Sequence, residues 1–154
     1  VVLVAGGCVG TPDAADLVDN QTDAGVLVSK PEAAGALQDY MSVVNDALDS
    51  GDIGELDAMT GEDCPCRELV GYIHGNTYEG GQLIDASMTA DEVTVVGRTG
   101  READVSARVS VSAYAVRTAD GLVVGRQPER EFAATYTVRT DGSDWQVIDV
   151  KRGS

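Results

Sequence analysis

Ala103-Asp104-Val105-Ser106-Ala107-Arg108-Val109-Ser110-Val111-Ser112-Ala113-Tyr114-Ala115 alternates apolar and polar residues without interruption. A period of two sends Ala103, Val105, Ala107, Val109, Val111, Ala113 and Ala115 to one face, and Asp104 through Tyr114 to the other. That is a strand with one packed and one wet face. Outward from it the same period predicts strands at 82–89 and 92–98 before, and near 122–139 and at 144–151 after. The joints Ala90-Asp91, Thr99-Gly100, Asp120-Gly121 and Asp141-Gly142 carry hairpin chemistry, so a five-stranded antiparallel meander is expected. Pro128 has no N–H for a ladder, which predicts a bulge or an edge position there.

Before residue 82 the period is helical. Leu37, Tyr40, Met41, Val44, Ala47 and Leu48 form one stripe, while Gln38, Asp39, Asn45, Asp46 and Asp49 face away, predicting a helix over 32–49 between Pro31 and Gly51. A shorter turn follows at Ile53–Met59. A third helix is expected to open at Asp63-Cys64-Pro65, bury Leu69, Val70 and Ile73, and end near Gly75-Asn76. Helices first and strands second specify an α+β fold, with the helices packed on one face of a curved antiparallel sheet.

The 154 residues, 43% of them apolar, suit one domain with its own core. A net charge of −15 is the wrong sign for a phosphate-neutralising surface, which excludes nucleic acid as a partner class. The acids crowd into the first part: 18 against 2 bases in residues 1–97, but 8 against 9 in residues 98–154. No run of eighteen apolar residues offers a membrane span. Basic residues are mostly Arg, and with abundant Ala, Gly, Val and Asp this suggests GC-rich coding.

Val1-Val2-Leu3-Val4-Ala5-Gly6-Gly7-Cys8 is an apolar run closing on small residues and a cysteine, as an export signal closes. Ala5-Gly6-Gly7-Cys8 resembles the bacterial lipobox. The resemblance implies that residues 1–8 are a signal remnant and that Cys8 is the lipid attachment site at the mature N-terminus, anchoring the chain to the extracytoplasmic face of the cell membrane. Residues 9–30, with Asp13, Asp16, Asp19, Asp23, Gly10, Gly25 and Pro12, have the composition of an acidic flexible tether, leaving 31–154 as the single α+β domain. Within the tether, Val26-Leu27-Val28 is a short apolar patch that either adds an edge strand or docks on the domain. Lipidation of Cys8 accounts for the odd cysteine and leaves Cys64 and Cys66 in an oxidising compartment.

Several features together resemble a family of actinobacterial lipoproteins of unknown function. They are the lipobox, the acidic tether, Ala47-Leu48-Asp49-Ser50-Gly51-Asp52, the paired Cys64 and Cys66, Tyr78-Glu79-Gly80-Gly81 and a closing Trp145-Gln146-Val147. The likeness covers most of residues 32–151. More broadly, a helical front half, a strand meander and an Asp-Gly hairpin leading to Trp145 resemble the nuclear transport factor 2-like cone of SnoaL-like proteins. Family members space the two cysteines by two residues, whereas only Pro65 stands between them here. The cone hosts isomerases, hydrolases and plain binding modules, so it implies no single activity.

Cys64 and Cys66 admit a structural bridge, free thiols, or redox or metal chemistry. A bridge requires Cα atoms roughly 4.4–6.8 Å apart, which a bent turn allows and an extended one does not. His74, the only histidine, stands eight residues past Cys66. On one helix that is about 12 Å of rise and about 800° of rotation, so the two cannot share an ion, and no metal or cofactor is expected. A pocket in the cone would draw on Tyr40, His74, Asp85 and Tyr114, with Asp85 or His74 as the base if the protein were a SnoaL-like enzyme. No Gly-x-Ser-x-Gly, P-loop or dinucleotide fingerprint occurs, and no catalytic set is assigned. The expected function is a non-enzymatic envelope module binding a small apolar ligand or a protein partner. The alternatives are the SnoaL-like enzyme and a thiol-disulfide protein using Cys64 and Cys66.

Overall fold

A computed structural model describes residues 27–153, so Cys8 and most of the expected tether lie outside the described residues. Helix α1 spans Lys30–Ser50, two residues earlier than the periodicity predicts. Its start is fixed by a capping box: the Glu32 N–H donates to Ser29 Oγ at 3.1 Å and the Ser29 N–H to Glu32 Oε1 at 3.4 Å. It stops at Gly51, whose φ of 80° lets its N–H reach the Ala47 carbonyl at 2.8 Å. Just before the cap, Val28 is buried, its N–H bonded to the Gly100 carbonyl and its carbonyl to Arg98. Val28 of the apolar patch therefore docks on the domain, while Leu27 stays exposed.

Helix α2 covers Gly54–Met59 and α3 Arg67–Thr77. The third helix opens later than expected, because residues 64–66 form tight turns in which the N–H groups of Arg67, Glu68 and Leu69 reach back three residues. Arg67 fastens this link, donating to the carbonyls of Gly61 and Thr60 and to Asp57.

Seven strands follow in two antiparallel sheets: β1 (Gln82–Ile84), β2 (Met88–Thr99), β3 (Glu102–Val111), β4 (Tyr114–Arg117), β5 (Val123–Gln127), β6 (Arg130–Thr140) and β7 (Trp145–Arg152). The four-stranded sheet runs β2-β3-β6-β7 and the three-stranded one β1-β4-β5. Along β3 every odd residue from Ala103 to Val111 is buried, as alternation demands. Three expected strands are nevertheless divided. The strand at 82–89 breaks at Asp85, held at φ 67° while its carbonyl accepts from Ser112 Oγ at 2.7 Å. Ala90 and Asp91 make no hairpin; they pair with Val109 and Arg108 within β2, and the extra residues are absorbed as a bulge before Thr94, with Glu92 at φ 53°. The strand at 103–115 breaks at Ser112-Ala113, and that at 122–139 at Pro128-Glu129, where the missing N–H predicted an irregularity.

Helix α1 lays Leu37, Tyr40, Val44 and Ala47 into the concave side of the larger sheet, where they meet Val105, Val109, Val138 and Val147 in the core. Gln38 and Asn45 do not simply face solvent. The Asn45 amide donates to the Met88 carbonyl at 2.8 Å and accepts from the Met88 N–H at 2.7 Å, while Gln38 donates to the Ala90 carbonyl. These side chains occupy the open edge of β2 as a neighbouring strand would.

Candidate functional site

The breaks in β3–β4 and β5–β6 lie side by side and reverse the side-chain parity across each. Val111 and Tyr114 therefore point the same way, as do Gln127 and Arg130, into one cleft of about 640 Å³. A volume of this order suits a small organic ligand. Helix α1 contributes Tyr40 and Leu48, the 64–66 turn contributes Pro65 and Cys66, α3 contributes Glu68, Leu69 and Tyr72, and the sheets contribute Tyr114, Phe132, Tyr136 and Arg152 among others.

Four of the five tyrosines converge here. Tyr40 and Tyr136 are buried with ring centroids 6.2 Å apart, a favourable tilted contact. Tyr72 and Tyr114 meet edge to face with hydroxyl oxygens 2.8 Å apart. Burial pushes the Tyr40 phenol up to about 12, and the Thr60 hydroxyl opposes this only in part. Thr60 is already committed, donating to the Leu56 carbonyl at 2.6 Å, and the Tyr40 hydroxyl meets no partner in hydrogen-bonding geometry. It is the one buried side-chain polar atom so placed among the described residues. Tyr136 is raised by burial and by the neighbouring Tyr40. Tyr72 rises to about 12 through partial burial and its bond to Tyr114.

Of the residues expected to share a pocket, Tyr40 and Tyr114 do so and His74 and Asp85 do not. His74 is exposed on α3 and stacks on Tyr78, ring centroids 5.1 Å apart. It stands in the last turn of α3, four residues after buried Val70, and its ring lies in solvent beside Tyr78 rather than in the cleft. Asp85 is exposed on the left-handed turn after β1, so its carboxylate is outside the cone. Among the described residues the only carboxylate on the cleft wall is Glu68, itself exposed. Alternation alone assigns Tyr114 to the wet face; the Ser112-Ala113 break re-aims it. Tyr72, Phe132, Tyr136, Arg130 and Arg152 are further wall residues that spacing did not single out.

Cys64 and Cys66 are joined by a disulfide with Cα atoms 5.0 Å apart. The residues are only 4% and 7% exposed, so an attacking thiolate has little room to approach, although Cys66 borders the cleft. A larger groove of about 1100 Å³ lies between α1, α2 and the β6–β7 turn, lined by Asp39, Asp46, Glu55, Asp141 and Asp144 with Arg101 and Arg139 among them. No group of three or more His, Cys, Asp or Glu among the described residues could hold a metal ion. No helix there is long and apolar enough to cross a membrane.

No family model and no curated protein matches the sequence. Solved structures do share its fold. The intermembrane space region of the chloroplast protein ARC6 is 12% identical, with 81% of this chain and 96% of that chain covered at a TM-score of 0.57. An uncharacterised protein with a cystatin-like fold from Caulobacter vibrioides is 13% identical, covering 79% and 88% at 0.53. A candidate scytalone dehydratase from Novosphingobium aromaticivorans is 17% identical, covering 78% and 83% at 0.50. At such identities the likeness is one of fold: an α+β cone with helices on antiparallel sheets, as in the cystatin-like protein.

Proposed function

We propose that this chain is a non-enzymatic binding module, held at the extracytoplasmic face of a cell membrane by a lipid on Cys8, whose cleft takes a small molecule with an apolar body. The observation that carries the binding reading is the convergence of Tyr40, Tyr72, Tyr114 and Tyr136 on one cleft whose wall, among the described residues, bears a single, solvent-exposed carboxylate. Rigid aromatic surface gives contact area at little entropic cost. A cone enzyme of the SnoaL-like kind needs a desolvated base against its substrate, and His74 and Asp85 stand outside the cleft. The fold shared with a candidate scytalone dehydratase supports the cone and leaves its chemistry open. Burial of the Cys64–Cys66 bridge weighs against a redox role.

The anchoring rests on Ala5-Gly6-Gly7-Cys8. With Val28 docked and Ser29 capping α1, a tether over residues 9–26 would span about 23 Å as a flexible coil, keeping the domain near the bilayer. Native mass spectrometry of the protein extracted from its own membranes tests both halves: a lipid adduct on Cys8 and a retained small molecule are expected. Recovery from the cytosol with the Cys8 thiol unmodified would sink the anchoring. A Tyr72→Ala/Tyr114→Ala variant that retains the molecule as the parent does would sink the cleft as its site.

A further inference from the structure

The cleft wall has a sign. In a chain with more than twice as many acids as bases, the wall bears Arg130 and Arg152 against the lone Glu68. Phe132 lies two residues after Arg130 on the same face of β6, and Arg152 pairs with Ala134 across the β6–β7 ladder. The Arg152 guanidinium carbon sits 4.0 Å from the centroid of the Phe132 ring. A guanidinium over a ring face keeps its N–H donors free around the edge. No described carboxylate pairs with either arginine. Each cation is near enough to a cleft tyrosine, Arg130 to Tyr72 and Arg152 to Tyr136, to favour the phenolate against the burial that opposes it.

The hydroxyls add a donor. In the Tyr72–Tyr114 pair one O–H is spent between the oxygens, and the accepting hydroxyl keeps its own proton to donate elsewhere. Deeper in, Tyr40 and Tyr136 offer ring surface and no charge. The negative field of the helical layer is screened beyond about 8–10 Å at ordinary salt, so at contact range the two guanidiniums decide.

We infer that the cleft selects an anionic amphiphile: a carboxylate-like head on Arg130, Arg152 and the free hydroxyl of the Tyr72–Tyr114 pair, and an apolar body on Tyr40, Phe132 and Tyr136. The inference rests on the proposed binding role of the same cleft and adds the chemical class of the ligand. Charge-assisted hydrogen bonds to two guanidiniums supply the discrimination. The aromatic floor supplies contact that a neutral analogue would share.

Calorimetric titration of the full chain with dodecanoate and with 2-naphthoate, each beside its neutral counterpart dodecan-1-ol or 2-naphthol, tests it. At least one carboxylate should bind about tenfold more tightly than its neutral counterpart, with a preference that shrinks as salt is added. In Arg130→Met/Arg152→Met the preference should disappear while the thermal midpoint holds. Arg126→Met, on exposed β5 and outside the cleft wall, should keep the preference. Equal binding of acid and neutral counterpart, or a preference surviving the double variant, overturns the anionic class and leaves the binding role standing. No binding by any of the four probes overturns both.

Discussion

Tyr40 shows how one side chain serves both core and site. It is 1% exposed, fills the contact between α1 and the larger sheet, and lines the cleft, yet its hydroxyl finds no partner. An orphaned buried hydroxyl costs about 1–3 kcal/mol, so Tyr40→Phe should leave the denaturation midpoint unchanged or raise it, whereas Tyr40→Ala should cost about 3–5 kcal/mol. The same burial makes stability sensitive to alkali. Tyr40 folded titrates near 12 against 10.0 unfolded, so the folded state holds its proton more tightly. Stability is whole below pH 10 and is lost as pH climbs from 10 through about 12, by about 3 kcal/mol from this residue. Denaturant midpoints across that range, with Tyr40→Phe losing less than the parent, check it. Tyr40 and Tyr114 were legible as pocket residues in the sequence. Tyr72, Tyr136 and Arg152 were not, because only the tertiary fold brings residues so far apart in sequence onto one wall.

Among the elements, the helices and the β3 alternation were readable because each obeys one period over many residues. The strand breaks were not. Ser112 reads as one more polar position, and only its bonds to Asp85 and Ser87 show that it pins a turn. Likewise, Asn45 reads as an outward polar residue, and its two bonds to Met88 depend on which strand lies beneath α1. Asn45→Ala should leave both backbone groups of Met88 without protein partners and cost about 1–3 kcal/mol, measurable as a lower denaturation midpoint. Hydrogen exchange at the Met88 amide should quicken in the same variant. For the 64–66 turn, a Cys8→Ser background should show no reactive thiol in native protein under mild reductant and two after unfolding, since both sulfurs belong to buried residues. Two reactive thiols in the native state would restore the redox alternative.

At the scale of the whole molecule the charge division was fully legible, since it requires only counting: acids crowd the helical part, and bases gather in the strands. Like charges packed around α1 and α2 repel, so the thermal midpoint should rise as sodium chloride increases from about 0.01 to 1 M, over which the Debye length falls from about 30 to about 3 Å. A midpoint indifferent to salt would show that the helical acids are too well solvated to strain the fold. The two neighbouring interruptions, at Ser112-Ala113 and Pro128-Glu129, both lie where the four-stranded sheet hands over to the three-stranded one. Lengthening or shortening either joint would re-size the mouth while leaving the main ladder and its inner packing untouched. The opening can therefore be reshaped by editing two short joints rather than by rebuilding the body that frames it.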